Sequence, residues 1–289
     1  MTLIILLCGL ALEHFLNALD DVRQLSWFGR YSDWLENKFV QSSYWNGAGG
    51  IIMTLAGPLL IILLIDYGLK NIFSPLSYLF ALAVLLNSIG PKFLDKSLSA
   101  YVDALDAEDD VQARYYAEEL CHSVAAPEPE KDEQEIIECI FVQANERLYA
   151  VIFWFIVLGP FGAILYRLAN ILKTKYRDIH GAYADSARHL NNLLNWPSTR
   201  LFALGNALAG NMIEAMEAWR SNEDSSFGAN EAVLIASGLG ALHYRPETNT
   251  HEGEVDISYW IRATQSLINR TLIVWLTALG VMTIAGVLS

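Results

Sequence analysis

Charge, and positive charge above all, is what this sequence has least of. Charged residues make up 18% of the chain, whereas soluble domains carry about 25%. Lys and Arg number 19 against 32 Asp and Glu, which gives a formal net charge of −13. Because proteins bind nucleic acid chiefly through Lys and Arg on its phosphates, this balance excludes nucleic acid as an expected partner.

Cysteines and catalytic motifs are also sparse. The three cysteines, Cys8, Cys121 and Cys139, include no CxxC pair, so we expect neither a disulfide framework nor a zinc site. The sequence contains no nucleotide loop of the GxxxxGK[ST] or GxGxxG kind, no GxSxG motif and no HExxH motif. Its six histidines show no metal-ligand spacing. The residues therefore predict no catalytic group, no metal and no cofactor.

Hydrophobic residues, by contrast, make up 53% of the chain. Several uncharged runs approach the length of about 20 residues that one helical membrane crossing requires. We therefore predict the all-α class: a polytopic membrane protein with a single integral membrane domain over residues 1–289. The predicted elements are four spanning helices at about residues 2–18, 47–66, 73–91 and 270–288, and a fifth apolar element at 148–166.

The fifth element contains a Gly-Pro pair near its middle. Leu148 to Tyr166 is a run of 19 uncharged residues, and Gly159-Pro160 interrupts it. Proline lacks a backbone N–H and clashes with the preceding turn, so a straight helix is not expected to pass through it. Two interpretations follow: an ordinary span with a proline kink, or a broken element that enters the membrane and turns back.

The positions of the basic residues favour the second interpretation. If residues 148–166 cross the membrane, the 19 Lys and Arg divide 8 against 11 between its two faces. If the element turns back, they divide 18 against Lys70 alone. Because cytoplasmic loops carry an excess of Lys and Arg, we predict a re-entrant element, cytoplasmic loops on both of its sides and both termini outside.

Two helical loops complete the prediction. The acidic loop at 94–143 accounts for most of the negative charge, because Asp103 to Glu138 holds 13 acidic residues against Arg114 and Lys131. A helix over Leu94–Leu120 is expected to break at the acidic residues 107–110. Residues 20–46, rich in Trp and Tyr, are predicted to lie at the lipid headgroups. In the loop at 171–265, helices are predicted at Asp178–Trp196, ending before Pro197, at Leu201–Trp219 and at Asn230–Tyr244.

Polar residues at the ends of the apolar elements form a predicted ligand-binding set: Glu13, Glu146, Arg167, Asn170, Asn191, Asn192 and Arg200. Arginine forks suit carboxylate or phosphate groups, so one interpretation is a site for a small anionic ligand. The other is an internal Glu–Arg pair that ties the ends of the hairpin together. A carboxylate near membrane depth indicates function, although Glu13 also suits an interfacial charge that reaches water.

Five segments carry a resemblance to a known family. The central one is FWFIVLGPFGAILYRLAN, residues 153–170. The others are LALEHF at 10–15, SWFGR at 26–30, NLLNWPSTRL at 192–201 and ASGLGAL at 236–242. Together they resemble the CobD/CbiB–AmpE superfamily of bacterial inner-membrane proteins. One branch of the superfamily is adenosylcobinamide-phosphate synthase, an amide-forming enzyme of the cobalamin pathway. The other branch, AmpE, is implicated in signalling that modulates β-lactamase induction.

Departures from the synthase motifs indicate which of the two branches the chain is more similar to. Synthases typically continue the YR..N motif as NTLD and carry an aspartate pair before the NW.PAR segment. Here Lys173 replaces the first aspartate and Asn191-Asn192 replaces the pair. An amide side chain cannot hold magnesium phosphate or act as a base in the way that a carboxylate does. Residues 144–155, ANERLYAVIFWF, are similar to the AmpE form, while Glu13 and Glu146 match acidic positions of the superfamily.

The resemblance therefore implies a non-catalytic inner-membrane regulator or sensor that modulates β-lactamase induction in response to cell-wall stress. Its implied partners are membrane lipid and a small anionic, nucleotide or cell-wall-derived ligand; it indicates no particular protein partner. The alternative is an amide-forming enzyme of cobalamin biosynthesis, similar to adenosylcobinamide-phosphate synthase. Either way, the resemblance implies a multi-pass location in the bacterial inner membrane.

Overall fold

The computed structural model describes residues 2–15, 25–40, 45–89, 93–121, 133–221, 228–244 and 257–286. Within these ranges the secondary structure is helical and contains no β-strand, which confirms the all-α class. A π-helical turn at Asn145–Tyr149 joins α7 to α8. The α-helices are α1 (Thr2–Phe15), α2 (Ser26–Phe39), α3 (Ala48–Ile72), α4 (Ser74–Ser88), α5 (Phe93–Asp106), α6 (Asp110–Leu120), α7 (Glu133–Ala144), α8 (Ala150–Lys175), α9 (Ala182–Ala209), α10 (Met212–Ser221), α11 (Asn230–Leu242) and α12 (Ile257–Ile284).

The chain divides into two compact units, and each is discontinuous in sequence. The described residues of Met1–Pro91 and Arg147–Asn195 form the first unit, which holds α1 to α4, α8 and the first half of α9. Those of Lys92–Glu146 and Trp196–Leu288 form the second unit, which holds α5 to α7, the second half of α9 and α10 to α12.

The core of the first unit is built around the second half of α8. Ile164, Leu168 and Leu172 follow one another at four-residue spacing, which places them on one helix face. They pack in one buried cluster with Phe28 of α2 and Leu55 of α3. Because full burial of such a side chain stabilises a fold by roughly 1.5–3 kcal/mol, this face holds α2 and α3 against α8.

Helix α8 is broken at Gly159, where the Gly-Pro pair lies. The backbone there leaves the helical region, with φ 65° and ψ −150°. A Cβ atom added to Gly162 would overlap the carbonyl oxygen of Trp154, although these residues would be about 12 Å apart along a straight helix. Trp154 and Tyr166 also donate hydrogen bonds to the neighbouring residues Leu194 and Asn195, over 2.9 and 2.7 Å. The two arms of α8 therefore fold back on each other.

Helix α3 is longer than the apolar run that predicts it. The predicted span ends at Asp66, but the helix continues to Ile72. Lys70 pairs with Asp66 over 2.7 Å, one turn away, and such pairs stabilise a helix surface by a few tenths of a kcal/mol. The extended residue Phe73 (φ −158°, ψ 103°) separates α3 from α4. Residues 67–72, which lie between the second and third predicted spans, are therefore helical.

In the second unit, glycines allow helices to pack closely. A Cβ atom on Gly238 would lie 2.7 Å from the ring of Phe141 in α7. One on Gly240 would lie 2.9 Å from Cα of Ala215 in α10. Real Cβ atoms are not found so close to other atoms, so a side chain at either position would push α11 away from its neighbours. The ASGLGAL segment is therefore a packing motif.

Two of the cysteines form a disulfide, although the sequence led us to expect no disulfide framework. Cys121 and Cys139 form a disulfide, with Cα atoms 5.3 Å apart. Both are buried, with exposures of 2% and 3%. Because α6 and α7 pack together, residues 18 positions apart in sequence become neighbours. Cys8 carries an exposed free thiol.

Helix α9 differs most from its prediction. The helix does not end before Pro197 but runs from Ala182 to Ala209 with this proline inside it. The predicted helix over Leu201–Trp219 is instead divided at Gly210 and Asn211, and the Asn211 N–H donates to the carbonyl of Ala241 over 2.9 Å.

By contrast, the predicted break at residues 107–110 is confirmed, because Asp109 caps α6 by accepting a 3.1 Å hydrogen bond from Gln112 N–H.

Three described helical segments are long and apolar enough to cross a membrane: Ala48–Ile72, Gln134–Lys175 and Ile257–Ile284. The last begins at Ile257, earlier than the predicted residue 270, and the middle one contains the fold-back at Gly159. The predicted first and third spans correspond to the shorter apolar helices Thr2–Leu12 and Pro75–Ser88. Residues 16–18, 90–91 and 287–288 of the predicted spans lie outside the described residues.

Candidate functional site: buried polar clusters of the two units

A chain of hydrogen bonds, here called the amide relay, links Tyr166, Asn195 and Asn191 in the first unit. The Tyr166 hydroxyl donates to Asn195 Oδ1 over 2.7 Å, and Asn195 Nδ2 donates to Asn191 Oδ1 over 2.9 Å. All three side chains are buried, Asn191 completely. Asn191 and Asn195 lie one turn apart in α9 and so share a face. The relay therefore fixes the second arm of α8 to α9.

Three further residues of the predicted set lie in the same unit. Asn170 is buried, with 6% exposure, and follows Tyr166 by four residues, so it lies on the same face of α8. Arg167 and Asn192 are half-buried. The first unit therefore holds Arg167, Asn170, Asn191 and Asn192, but the relay includes only Asn191.

Glu146 belongs to the second unit and lies in the π-helical turn. Its exposure is 2%, and carboxylates are rarely so buried unless they are paired. The preceding residue, Asn145, donates from Nδ2 to Thr199 Oγ1 over 3.2 Å and ties the start of the turn to α9. Single π-helical turns occur frequently at functional sites. Of the predicted set, Glu146 is therefore the carboxylate that the backbone singles out.

Arg200, also in the second unit, is held in a fixed orientation. Its guanidinium lies over the Trp196 ring, 4.4 Å from the centroid. It donates to the Trp196 carbonyl over 3.3 Å and to Asn230 Oδ1 over 2.9 Å. Asn230 is itself buried. Such preorganisation suits a guanidinium that binds a carboxylate or phosphate in two-pronged fashion. Glu13 lies in α1, but its side chain is outside the described part of the chain.

A polar cluster that sequence reasoning missed lies where α2 meets the end of α8. Lys175 Nζ contacts Asp33 Oδ1 at 2.5 Å and Ser32 Oγ at 3.2 Å. The Tyr176 hydroxyl donates to Glu36 Oε2 over 2.7 Å. These partners are 140 or more positions apart in sequence. The available signal was the three- and four-residue spacing of Ser32, Asp33 and Glu36, which predicts one polar face of α2.

Two tyrosines beside this cluster remain hydrogen-bond donors at neutral pH. Burial raises the pKa of Tyr176 well above its usual value, and the Glu36 carboxylate raises it further. Burial also raises the pKa of Tyr183, whose hydroxyl lies 2.9 Å from Thr54 Oγ1. Because both hydroxyls stay protonated, Tyr176 holds the end of α8 to α2, and Tyr183 holds the start of α9 to α3.

The described part of the chain contains no preformed cluster of metal-binding side chains. No group of three or more His, Cys, Asp or Glu side chains is placed there to hold a metal ion. The amides of Asn191 and Asn192 occupy the positions where the resemblance implies a carboxylate pair. Unlike carboxylates, these amides carry no negative charge with which to hold a magnesium ion.

Comparisons with known proteins agree on one family. Residues 6–274 match the CobD/Cbib protein family. The Cobalamin biosynthesis protein CobD of Chromobacterium violaceum is 31% identical over 169 residues, which are 55% of this chain and 53% of that protein. The protein of the same name from Stutzerimonas stutzeri is 28% identical over 224 residues, which are 74% of this chain and 72% of that protein.

The match thus spans about half the length of the Chromobacterium relative. No solved structure shows a significant match. Both relatives carry the CobD name, so they support the superfamily resemblance but not its AmpE branch. Since the family match covers residues 6–274 of 289, this chain belongs to the CobD/Cbib protein family.

Proposed function

We propose that this protein acts in cobalamin biosynthesis, at an amide-forming step of the adenosylcobinamide-phosphate synthase type. The observation that carries the proposal is the name shared by the two relatives, cobalamin biosynthesis protein, together with the family match over residues 6–274. The apolar helices support the placement of this reaction in a membrane protein.

The second unit supplies side chains suited to such a step. Forming an amide requires a carboxyl group that a nucleoside triphosphate has activated as an acyl phosphate. The amine nitrogen attacks the acyl carbon, phosphate leaves with the carboxyl oxygen, and a positioned carboxylate can accept the proton that the nitrogen loses. Glu146 is the carboxylate of the predicted set whose side chain the structure describes, and we assign it this role. The product carries a phosphate, and the oriented guanidinium of Arg200 suits a phosphate group.

Complementation tests this proposal. The gene is expressed in a bacterial strain that lacks adenosylcobinamide-phosphate synthase and grows under conditions that require cobalamin. We expect the wild-type protein and the surface variant Glu217→Gln to restore growth, and Glu146→Gln and Arg200→Lys to restore it poorly. Absence of growth with wild-type protein, at a membrane level comparable to that of a working synthase, would remove the proposal.

A second candidate function is a non-catalytic inner-membrane regulator that modulates β-lactamase induction. The observation that favours it is the amide relay: Asn191, in place of a synthase aspartate, is engaged in a structural hydrogen bond, and Lys173 replaces another. A small anionic or cell-wall-derived ligand would then be bound without being converted. Deleting the gene in its host and measuring β-lactamase after induction tests this function, and unchanged induction removes it.

A further inference from the structure

An apolar groove runs along α3 in the first unit, outside the polar clusters. Its volume is about 520 Å³, within the roughly 300–1,000 Å³ of small-molecule sites. Ile52, Leu55 and Leu59 of α3 form one wall, Leu190 and Leu193 of α9 form the other, and Leu165 of α8 contributes between them. Apart from Ser186 and His189, its lining side chains are all Ala, Ile and Leu.

The length and openness of the groove fit a hydrocarbon chain. Its lining on α3 extends from Ala48 to Leu59, about 16 Å at the helical rise of 1.5 Å per residue. That is roughly the depth of one leaflet, half of a hydrocarbon core about 30 Å thick. Ile52 and Leu193, on opposite walls, are 68% and 52% exposed. Because α3 is long and apolar enough to cross a membrane, we expect the open side of the groove to face acyl chains.

The groove has a polar end at the start of α3. Ser186 Oγ lies 3.6 Å from where a Cβ atom of Gly47 would stand, and His189 follows one turn later in α9. Nearby, Trp45 stacks on Tyr183 with ring centroids 5.3 Å apart. Trp and Tyr are enriched where a membrane meets water. We therefore expect the polar end to lie at headgroup level and the apolar part to extend from it into the bilayer.

We propose that this groove binds one acyl chain of a glycerophospholipid, with the lipid phosphate beside Ser186 and His189. His189 can donate a hydrogen bond to a phosphate oxygen. The Ser186 hydroxyl donates to the Ala182 carbonyl over 2.7 Å and would have to rotate to donate to the phosphate. The apolar walls exclude a hydrophilic ligand, because such a ligand would lose its hydrogen bonds to water and gain none. The occupant is thus a structural lipid, held beside α3, which contributes Ile51, Leu55 and Leu59 to the first unit's core.

Filling the groove tests the proposal. The full chain is purified in detergent with phosphatidylglycerol that carries a photoreactive diazirine in one acyl chain, and the crosslinked peptides are mapped by mass spectrometry. We expect labelling concentrated in residues 48–59 and 186–193. Ala56→Phe places a ring inside the groove and should reduce this labelling about tenfold, the change that a loss of about 1.4 kcal/mol of binding free energy produces.

The matched control is Ala278→Phe, which adds the same ring at an exposed position of α12 and should leave the groove labelling unchanged. Ile52→Trp serves as a second blocking variant if Ala56→Phe fails to fold, as judged by gel filtration. Labelling spread evenly over all exposed apolar helices, or groove labelling that both blocking variants retain, would overturn the proposal.

A separate experiment tests the placement of the lipid phosphate. Diazirine-bearing diacylglycerol offers the same chains without a phosphate. We expect the wild-type groove to be labelled more strongly by phosphatidylglycerol than by diacylglycerol, and His189→Leu to reduce that difference. Equal labelling of the wild-type protein by the two lipids would contradict the placement of the phosphate at Ser186 and His189.

Discussion

Replacing Asn195 by leucine tests whether the amide relay holds the folded-back arm of α8 in place. Asn195 accepts a hydrogen bond from Tyr166 and donates one to Asn191. Leucine keeps most of the volume but removes both bonds. Since one buried hydrogen bond contributes a net 0.5–1.5 kcal/mol, we expect the free energy of unfolding to fall by about 1–3 kcal/mol. Measurements inside membrane proteins average about 0.6 kcal/mol per bond, which favours the lower half of this range.

The assay is chemical denaturation in mixed micelles, performed as a double-mutant cycle. Tyr166→Phe removes only the hydroxyl, and combining it with Asn195→Leu gives the coupling between the two side chains. Residues joined by a buried hydrogen bond should show a coupling energy of at least about 0.5 kcal/mol. Tyr115→Phe is the matched control. Because Tyr115 is 61% exposed, this substitution should leave the free energy of unfolding almost unchanged.

Two results would refute this reasoning. The first is a Tyr166→Phe variant as stable as Tyr115→Phe, because the hydroxyl would then contribute nothing. The second is strict additivity in the cycle, since independent sites usually add within about 0.3–0.5 kcal/mol. Either result would mean that the relay does not connect α8 to α9.

Three shorter predictions concern the disulfide, the turn in α8 and the behaviour at high pH. Removing the disulfide with Cys121→Ser should lower stability by about 3 kcal/mol in oxidising buffer but by much less in reducing buffer, and equal losses in both would contradict the bond. Gly162→Ala should reduce the yield of folded protein, because its Cβ meets Trp154 O, whereas Gly280→Ala has nothing within 4 Å; equal yields would contradict the fold-back. Stability should fall as pH rises above 10.0, the usual tyrosine pKa, because burial raises the pKa of folded Tyr176 while the unfolded side chain ionises. Melting temperatures of the wild type and Tyr176→Phe on both sides of that pH test this, and identical pH profiles would contradict it.

Features encoded by nearby residues could be predicted from the sequence. The apolar runs predicted the helical class, and the acidic residues 107–110 marked a helix boundary that the structure confirms. Pro197 was misread because local steric rules favour a helix end there. In the structure α9 continues through this proline, and Ala187 before it and Phe202 after it are buried. The extension of α3 to Ile72 was missed because charged residues do not end a helix whose charges pair with each other.

Features that depend on distant residues could not be predicted in this way. The sequence singled out Asn191 but not its partner Asn195. Asn195 matters because it accepts a hydrogen bond from the Tyr166 hydroxyl, which lies 29 positions earlier in the chain. The disulfide likewise depends on α6 packing against α7. Lasting disulfides belong to oxidising compartments, whereas the charge distribution predicts a cytoplasmic acidic loop. Alkylation of Cys121 and Cys139 in intact cells decides whether the acidic loop is cytoplasmic. Alkylated thiols would indicate the cytoplasm, and thiols protected in a disulfide would indicate the opposite, oxidising side.

The proposed amide-forming role is tested most directly by measuring its product. Extracts of a synthase-deficient strain that expresses this protein are analysed by mass spectrometry for adenosylcobinamide phosphate. The wild-type protein and Glu217→Gln should produce it, Glu146→Gln should produce much less, and the empty vector should produce none. Absence of the product from cells that contain folded wild-type protein in their membranes would contradict the proposed function.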